Sequence, residues 1–151
     1  MSEDFITWLK GIEEKESTIN LIDSFSKYHS KLYLNQVVIF FERLGISFTK
    51  TMIQNYVKIG LLMPLHEKRY YIKEHIIMLF FISSLKNILS LEDMKIIFKE
   101  IDDIENLYNL FLSTDIESIK YLNIPEHIKK VLFLILYYRN ASITKNLINN
   151  L

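Results

Sequence analysis

The chain of 151 residues contains no cysteine. Disulfides, thiolate zinc sites, cysteine catalysis and thiol redox sensing are therefore excluded. Glycine and proline are scarce, with three and two residues. Three scattered glycines cannot build a phosphate-cradling loop or a dinucleotide fingerprint. Long apolar runs are also missing. The longest, IIMLFFI (76–82) and VLFLILYY (131–138), fall far short of the roughly 18 residues that argue for a membrane span. The opening stretch MSEDFITWLKGIEEKES lacks the basic start and apolar run of a secretory signal. A soluble, cytoplasmic protein is expected. Net charge is absent too, with 18 basic and 18 acidic side chains, which argues against a strong nonspecific nucleic-acid binder.

What remains is apolar and unevenly charged. Half of the residues are hydrophobic, ample for a core that needs neither metal nor disulfide. Residues 49–75 carry Lys50, Lys58, Lys68, Arg69 and Lys73 against Glu67 and Glu74. Residues 100–118 hold six acids and no base, and residues 119–151 hold five bases against Glu126. A basic middle flanked by acidic segments fits a local anion-binding surface, or a chance fluctuation on a solvated one.

Apolar spacing is helical almost throughout. Helices are expected over 3–10, from Ser17 or Thr18 (with Ile19, Leu21, Ile22 and Phe25 inward), and from Asn35 as N-cap to Gly45. Thr49 caps a helix over 50–59, with Met52, Ile53, Tyr56 and Val57 inward, stopped by Gly60. Pro64 then forces extended backbone, and LHEKRYYI reads as a short hairpin or wing. A helix apolar nearly all round follows from Lys73 to about Leu89. Ser90 caps the next, and further helices are expected near 103–113, 115–121, 125–139 and 142–150, with Ser142 as an N-cap. Domain boundaries are expected as an N-terminal helical arm (1–33), a winged helix-turn-helix (34–99) and a C-terminal helical region packed on it (100–151).

A helix, a tight turn, a second helix and an extended hairpin make a winged helix-turn-helix, which lays its second helix in the major groove. Such a helix needs an outward row of hydrogen-bonding and cationic side chains. Lys50, Thr51, Gln54, Asn55 and Lys58 fall at that spacing, and Lys68 and Arg69 sit on the wing. Tyr71 is read as structural, packed between wing and helix, and Arg69 as a phosphate contact.

The segments NYVKIGLLMP, RYYIKEHI, LFFISSLKNIL and SLEDMKIIF, within Leu34–Phe98, resemble the DNA-binding domain of MerR-type transcriptional regulators. The whole chain looks still more like an uncharacterised bacterial family, domain of unknown function 1836, through TMIQNYVK, KRYY, EHI and LKNILSLED. The resemblance implies an all-α, MerR-like winged helix-turn-helix with a small β-wing and a flanking helical region. It also implies a His75 that caps or orients the helix it begins. The chain departs from the MerR pattern at Gln54, where an Arg is usual, and at Ser47–Phe48–Thr49 and Glu67–Lys68–Arg69. Sustained heptads are absent beyond Phe98, so a MerR-type coiled-coil dimer is not expected; VLFLILYY is an alternative homodimer surface.

The expected function is a DNA-binding transcriptional regulator that reads double-stranded DNA with helix 50–59 and wing 63–72. The alternative is a protein-interaction module that keeps the fold without DNA binding. No cofactor is expected. The four histidines show no metal spacing and no nucleophile motif occurs, so an enzyme is not expected. The C-terminal aromatics Tyr108, Phe111, Tyr121, Phe133, Tyr137 and Tyr138 are read as core rather than as the lining of an effector pocket.

Overall fold

The structure is a computed structural model and describes Ile22 and residues 31–151. The helices expected at 3–10 and from Ser17 lie outside the described residues, except that Ile22 is helical and buried. Six α-helices follow: α1 Leu34–Glu42, α2 Lys50–Lys58, α3 Lys73–Leu85, α4 Leu91–Phe98, α5 Ile104–Ser113 and α6 Glu126–Asn149. A 3-10 helix, Ile116–Tyr121, precedes α6. The described residues are thus mostly helical and contain no strand, only two isolated bridges. No helix among them is long and apolar enough to cross a membrane.

The chain clusters into two compact units, and the division falls inside α3 and again near the end of α6. Of the described residues, Ile22, 31–76 and 145–151 belong to one unit and Ile77–Thr144 to the other.

In the first unit, α1 starts two residues earlier than Asn35 suggests. Tyr33 occupies the N-cap position and its backbone N–H donates to Gln36 Oε1 at 2.8 Å. A glutamine reaching back from the third helical position satisfies an orphan donor, so Asn35 is not needed as a cap. Val37 and Phe41 are buried on α1's inner face. The link to α2 is held by Phe48, whose ring meets Phe41 edge-on at 5.2 Å and Tyr56 at 6.1 Å. Gly45 adopts φ +76°, the left-handed conformation that lets the chain reverse after α1.

Thr49 caps α2 as expected: its hydroxyl accepts from the Met52 N–H at 3.1 Å. Ile53 and Tyr56 are buried beneath it, each worth about 1.5–3 kcal/mol of transfer free energy. At the other end Gly60 has φ +79°, and its N–H donates to the Val57 carbonyl at 3.1 Å. The Leu62 N–H turns back to the Tyr56 carbonyl at 3.0 Å, drawing the buried Leu61–Leu62 pair under the helix end.

The second unit is an aromatic and aliphatic core. Phe80 and Phe81 of α3 each meet Phe111 of α5 edge-on, at 5.9 and 5.3 Å. Met94, Ile97 and Phe98 of α4 and Val131, Leu132 and Ile135 of α6 are buried with them. Ser90, Asp103 and Asp115 cap α4, α5 and the 3-10 helix, each accepting from the backbone N–H three residues on. The Ser118 hydroxyl, and then its backbone N–H, hold the Asp115 carboxyl below its ordinary range.

Two further expected helix boundaries differ. The helix from Lys73 ends at Leu85 rather than Leu89, and past that end the Ile88 N–H closes a tighter bond onto the Leu85 carbonyl three residues back, at 3.0 Å. The helices expected at 125–139 and 142–150 are one, α6. Asn140–Ala141–Ser142 holds no glycine or proline to stop a helix, and Ser142 is buried mid-helix rather than serving as a cap. The aromatics also divide: Tyr108 and Phe111 are core, whereas Tyr121, Phe133 and Tyr137 are exposed.

Candidate nucleic-acid interface

At 100° per residue, positions 50, 51, 54, 55 and 58 occupy an arc of about 140° on α2. Lys50, Thr51, Gln54, Asn55 and Lys58 are all exposed. Among the described residues, none of these five side chains hydrogen-bonds or pairs with another group. Their donors and acceptors are therefore available to a partner. The opposite arc carries the buried Ile53 and Tyr56, so the sequence's amphipathicity becomes a fixed orientation of the polar row.

The segment expected as a β-wing is a tight turn instead. His66 and Tyr70 form one antiparallel bridge, with N–H to carbonyl distances of 2.9 Å in both directions. Glu67 and Lys68 at its tip have φ of 52° and 65°. Two successive positive φ values are the signature of a type I′ turn, which ordinarily takes Asn-Gly. No strand grows from this bridge, and the reason is local. The next hydrogen-bonded pair would join Pro64 to Ile72, but Pro64 has no N–H. The Ile72 N–H is already given to His75 Nδ1 at 3.0 Å.

His75 locks that arrangement. It is 0% exposed. Because Nδ1 accepts, the ring is neutral and its Nε2–H donates to the carbonyls of Met63 and Pro64, at 3.2 and 3.1 Å. Burial pushes its pKa below the ordinary histidine value, only partly opposed by the two carbonyl bonds. His75 thus joins the end of the α2 link to the first turn of α3. It caps and orients, as the resemblance implied. Tyr71 is buried against the same imidazole, ring centres 5.5 Å apart, and burial raises its phenol pKa.

Lys68 and Arg69 are exposed on the turn. Arg69 lies over the Tyr70 ring at 5.4 Å, while Lys68 has no partner among the described residues. Three neighbours escaped sequence reasoning. Lys31 lies over the same Tyr70 ring at 4.1 Å and within 4.0 Å of Glu67. Tyr33 meets Tyr70 with hydroxyls 3.3 Å apart, a bond that raises the Tyr33 pKa. The segment at Leu32 is stitched to Tyr71 by two backbone bonds of 2.9 Å. That pairing, about 40 residues apart in sequence, delivers Lys31 and Tyr33 to the turn. Nothing in the local pattern of KLYL signals it. Two cations against one aromatic ring, plus Lys68, give the turn a basic rim, which Glu67 partly neutralises by its approach to Lys31.

Among the described residues no three His, Asp or Glu side chains converge as a metal site would require.

In comparison with known proteins, no curated protein and no solved structure matches the chain. One family model does, over residues 27–111, more than half of the chain and inclusive of α2, the turn and His75. The chain belongs to that family, described as a domain of unknown function, DUF1836.

Proposed function

We propose that this protein is a DNA-binding transcriptional regulator in which α1, the link through Phe48, α2 and the 63–72 turn act as a MerR-like winged helix-turn-helix. In this reading α2 enters the major groove. Gln54 and Asn55 pair with base edges, Thr51 touches a base or sugar, and Lys50 and Lys58 meet guanine or phosphate. Lys68 and Arg69 reach the backbone beside the groove. The observation that carries the reading is the row of five exposed, unpartnered polar side chains on α2, held outward by a buried opposite face. The turn's strain supports it: two non-glycine residues at positive φ hold Lys68 and Arg69 at a tip that Asn-Gly would form more cheaply.

The test is selection of bound duplexes from a random pool, followed by titration of the selected duplex at several salt concentrations. Phosphate contacts from Lys50, Lys58, Lys68 and Arg69 would give a log–log salt slope of about 3 to 4. An unchanged affinity after Lys58→Glu with Arg69→Glu removes this reading.

One observation favours a second reading, a protein-interaction module without DNA binding. Glu67 stands at the tip of the turn with its side chain 57% exposed, an acid where a phosphate would approach. This reading expects no enriched duplex from the pool, and a protein partner whose capture depends on the α2 face.

A further inference from the structure

A separate feature lies wholly within the unit Ile77–Thr144. The 3-10 helix and the first turns of α6 enclose an open cleft of about 610 Å³. Its floor is Ile116, Ile119, Phe133 and Leu134, none of which offers a polar side-chain atom. Its rim holds Lys120, Lys129 and Lys130 against a single acid, Glu126. Lys129 is engaged: its ammonium donates to the Lys120 carbonyl at 3.3 Å and lies 3.7 Å from Glu126. Lys120 and Lys130 pair with no carboxylate among the described residues, although the Lys120 ammonium lies over the Tyr121 ring at 5.1 Å. Phe133 also stacks on Tyr137, ring centres 5.9 Å apart and 17° from parallel, and both rings are exposed. Exposed stacked aromatics beside an apolar trough extend one continuous apolar surface.

We infer that this cleft binds a small amphipathic anion, an alkyl chain ending in a carboxylate, with the chain on the Ile116–Ile119–Phe133–Leu134 floor and the head on Lys120 and Lys130. The volume lies within the roughly 300–1,000 Å³ of small-molecule sites. A wholly polar anion would leave the floor uncovered, and an uncharged chain would leave two lysines unmatched. The inference does not depend on DNA reading, because no residue of α2 or of the 63–72 turn takes part.

The probe is decanoate, kept below its micelle concentration and titrated calorimetrically into the full chain. Decanol and acetate serve as controls. Saturable binding of about one decanoate per chain is expected, at least tenfold tighter than decanol, with no binding of acetate. Phe133→Asp removes floor and places an acid beside the head group. Lys120→Gln with Lys130→Gln removes the two cations that face no carboxylate. Each is expected to weaken decanoate binding by tenfold or more, with the helical circular dichroism retained because these side chains are exposed. If Phe133→Asp disturbs the fold, the lysine pair decides. Absence of saturable heat overturns the inference. So does equal binding of decanol, or an affinity that the lysine pair leaves unchanged.

Discussion

His75→Ala perturbs the point where the α2 link, the turn and α3 meet. Three backbone groups depend on the imidazole: the Ile72 N–H, which it accepts, and the Met63 and Pro64 carbonyls, to which it donates. Leaving a buried group unsatisfied costs about 1–3 kcal/mol, and deleting a fully buried ring adds a cavity term. Water can enter after truncation and recover part of this, so a net loss of about 3 kcal/mol is expected. For a chain of this length that is a melting-point drop of about 6–12 °C. The pH dependence is the sharper arm. The folded state holds His75 neutral with a lowered pKa, so between the folded value and about 6.5 the unfolded chain binds more protons. Stability is therefore full above about pH 6.5 and falls as pH falls toward the folded value. The limiting slope is about 1.4 kcal/mol per pH unit for this one group. Urea denaturation of the wild type and of His75→Ala, between pH 5 and pH 8, measures both effects. The stability difference between them should shrink on acidification. A loss under about 0.5 kcal/mol at pH 7.5, or a difference that does not shrink below pH 6.5, refutes the bonding scheme assigned to the imidazole.

Lys68→Gly relieves a non-glycine residue at positive φ and should stabilise by about 1 kcal/mol. It should also weaken duplex binding, so calorimetry and titration would move in opposite directions. A destabilised Lys68→Gly shows that the turn is not strained. Thr49→Ala removes the hydroxyl that accepts from the Met52 N–H and should cost about 1 kcal/mol, checked by thermal melting. Lys58→Glu with Arg69→Glu should lower duplex affinity at least tenfold, each lost charged hydrogen bond being worth about 1.5–3 kcal/mol. It should also flatten the salt slope by about 2, while the melting temperature stays near wild type because both side chains are exposed.

Local chemistry was legible wherever one residue type has one strong solution. Thr49 and Ser90 cap their helices as their hydroxyls predict. Gly60 takes the left-handed conformation that ends α2. Ile53 and Tyr56 turn inward at helical spacing, which leaves Lys50, Thr51, Gln54, Asn55 and Lys58 outward. Boundaries failed where two solutions compete. Asn35 is a good N-cap, yet Gln36 reaches back to Tyr33 and starts α1 earlier. Ser142 is another good cap residue, but nothing before it breaks the helix, so it is carried inside α6.

Period and capping act over three or four residues, so the sequence alone determined that this is a largely helical protein with a polar row on α2. Only the tertiary structure decided that LHEKRYYI is a one-bridge turn and not a wing of strands. Its extension is blocked by a proline on one side and, on the other, by a backbone donor that His75 has claimed. Likewise only the tertiary structure decided that Lys31 and Tyr33 join Arg69 around Tyr70. The pairing of Leu32 with Tyr71 that brings them there depends on how the intervening helices fold the chain back. Backbone pairing over such a separation leaves no periodic trace in the residues that make it.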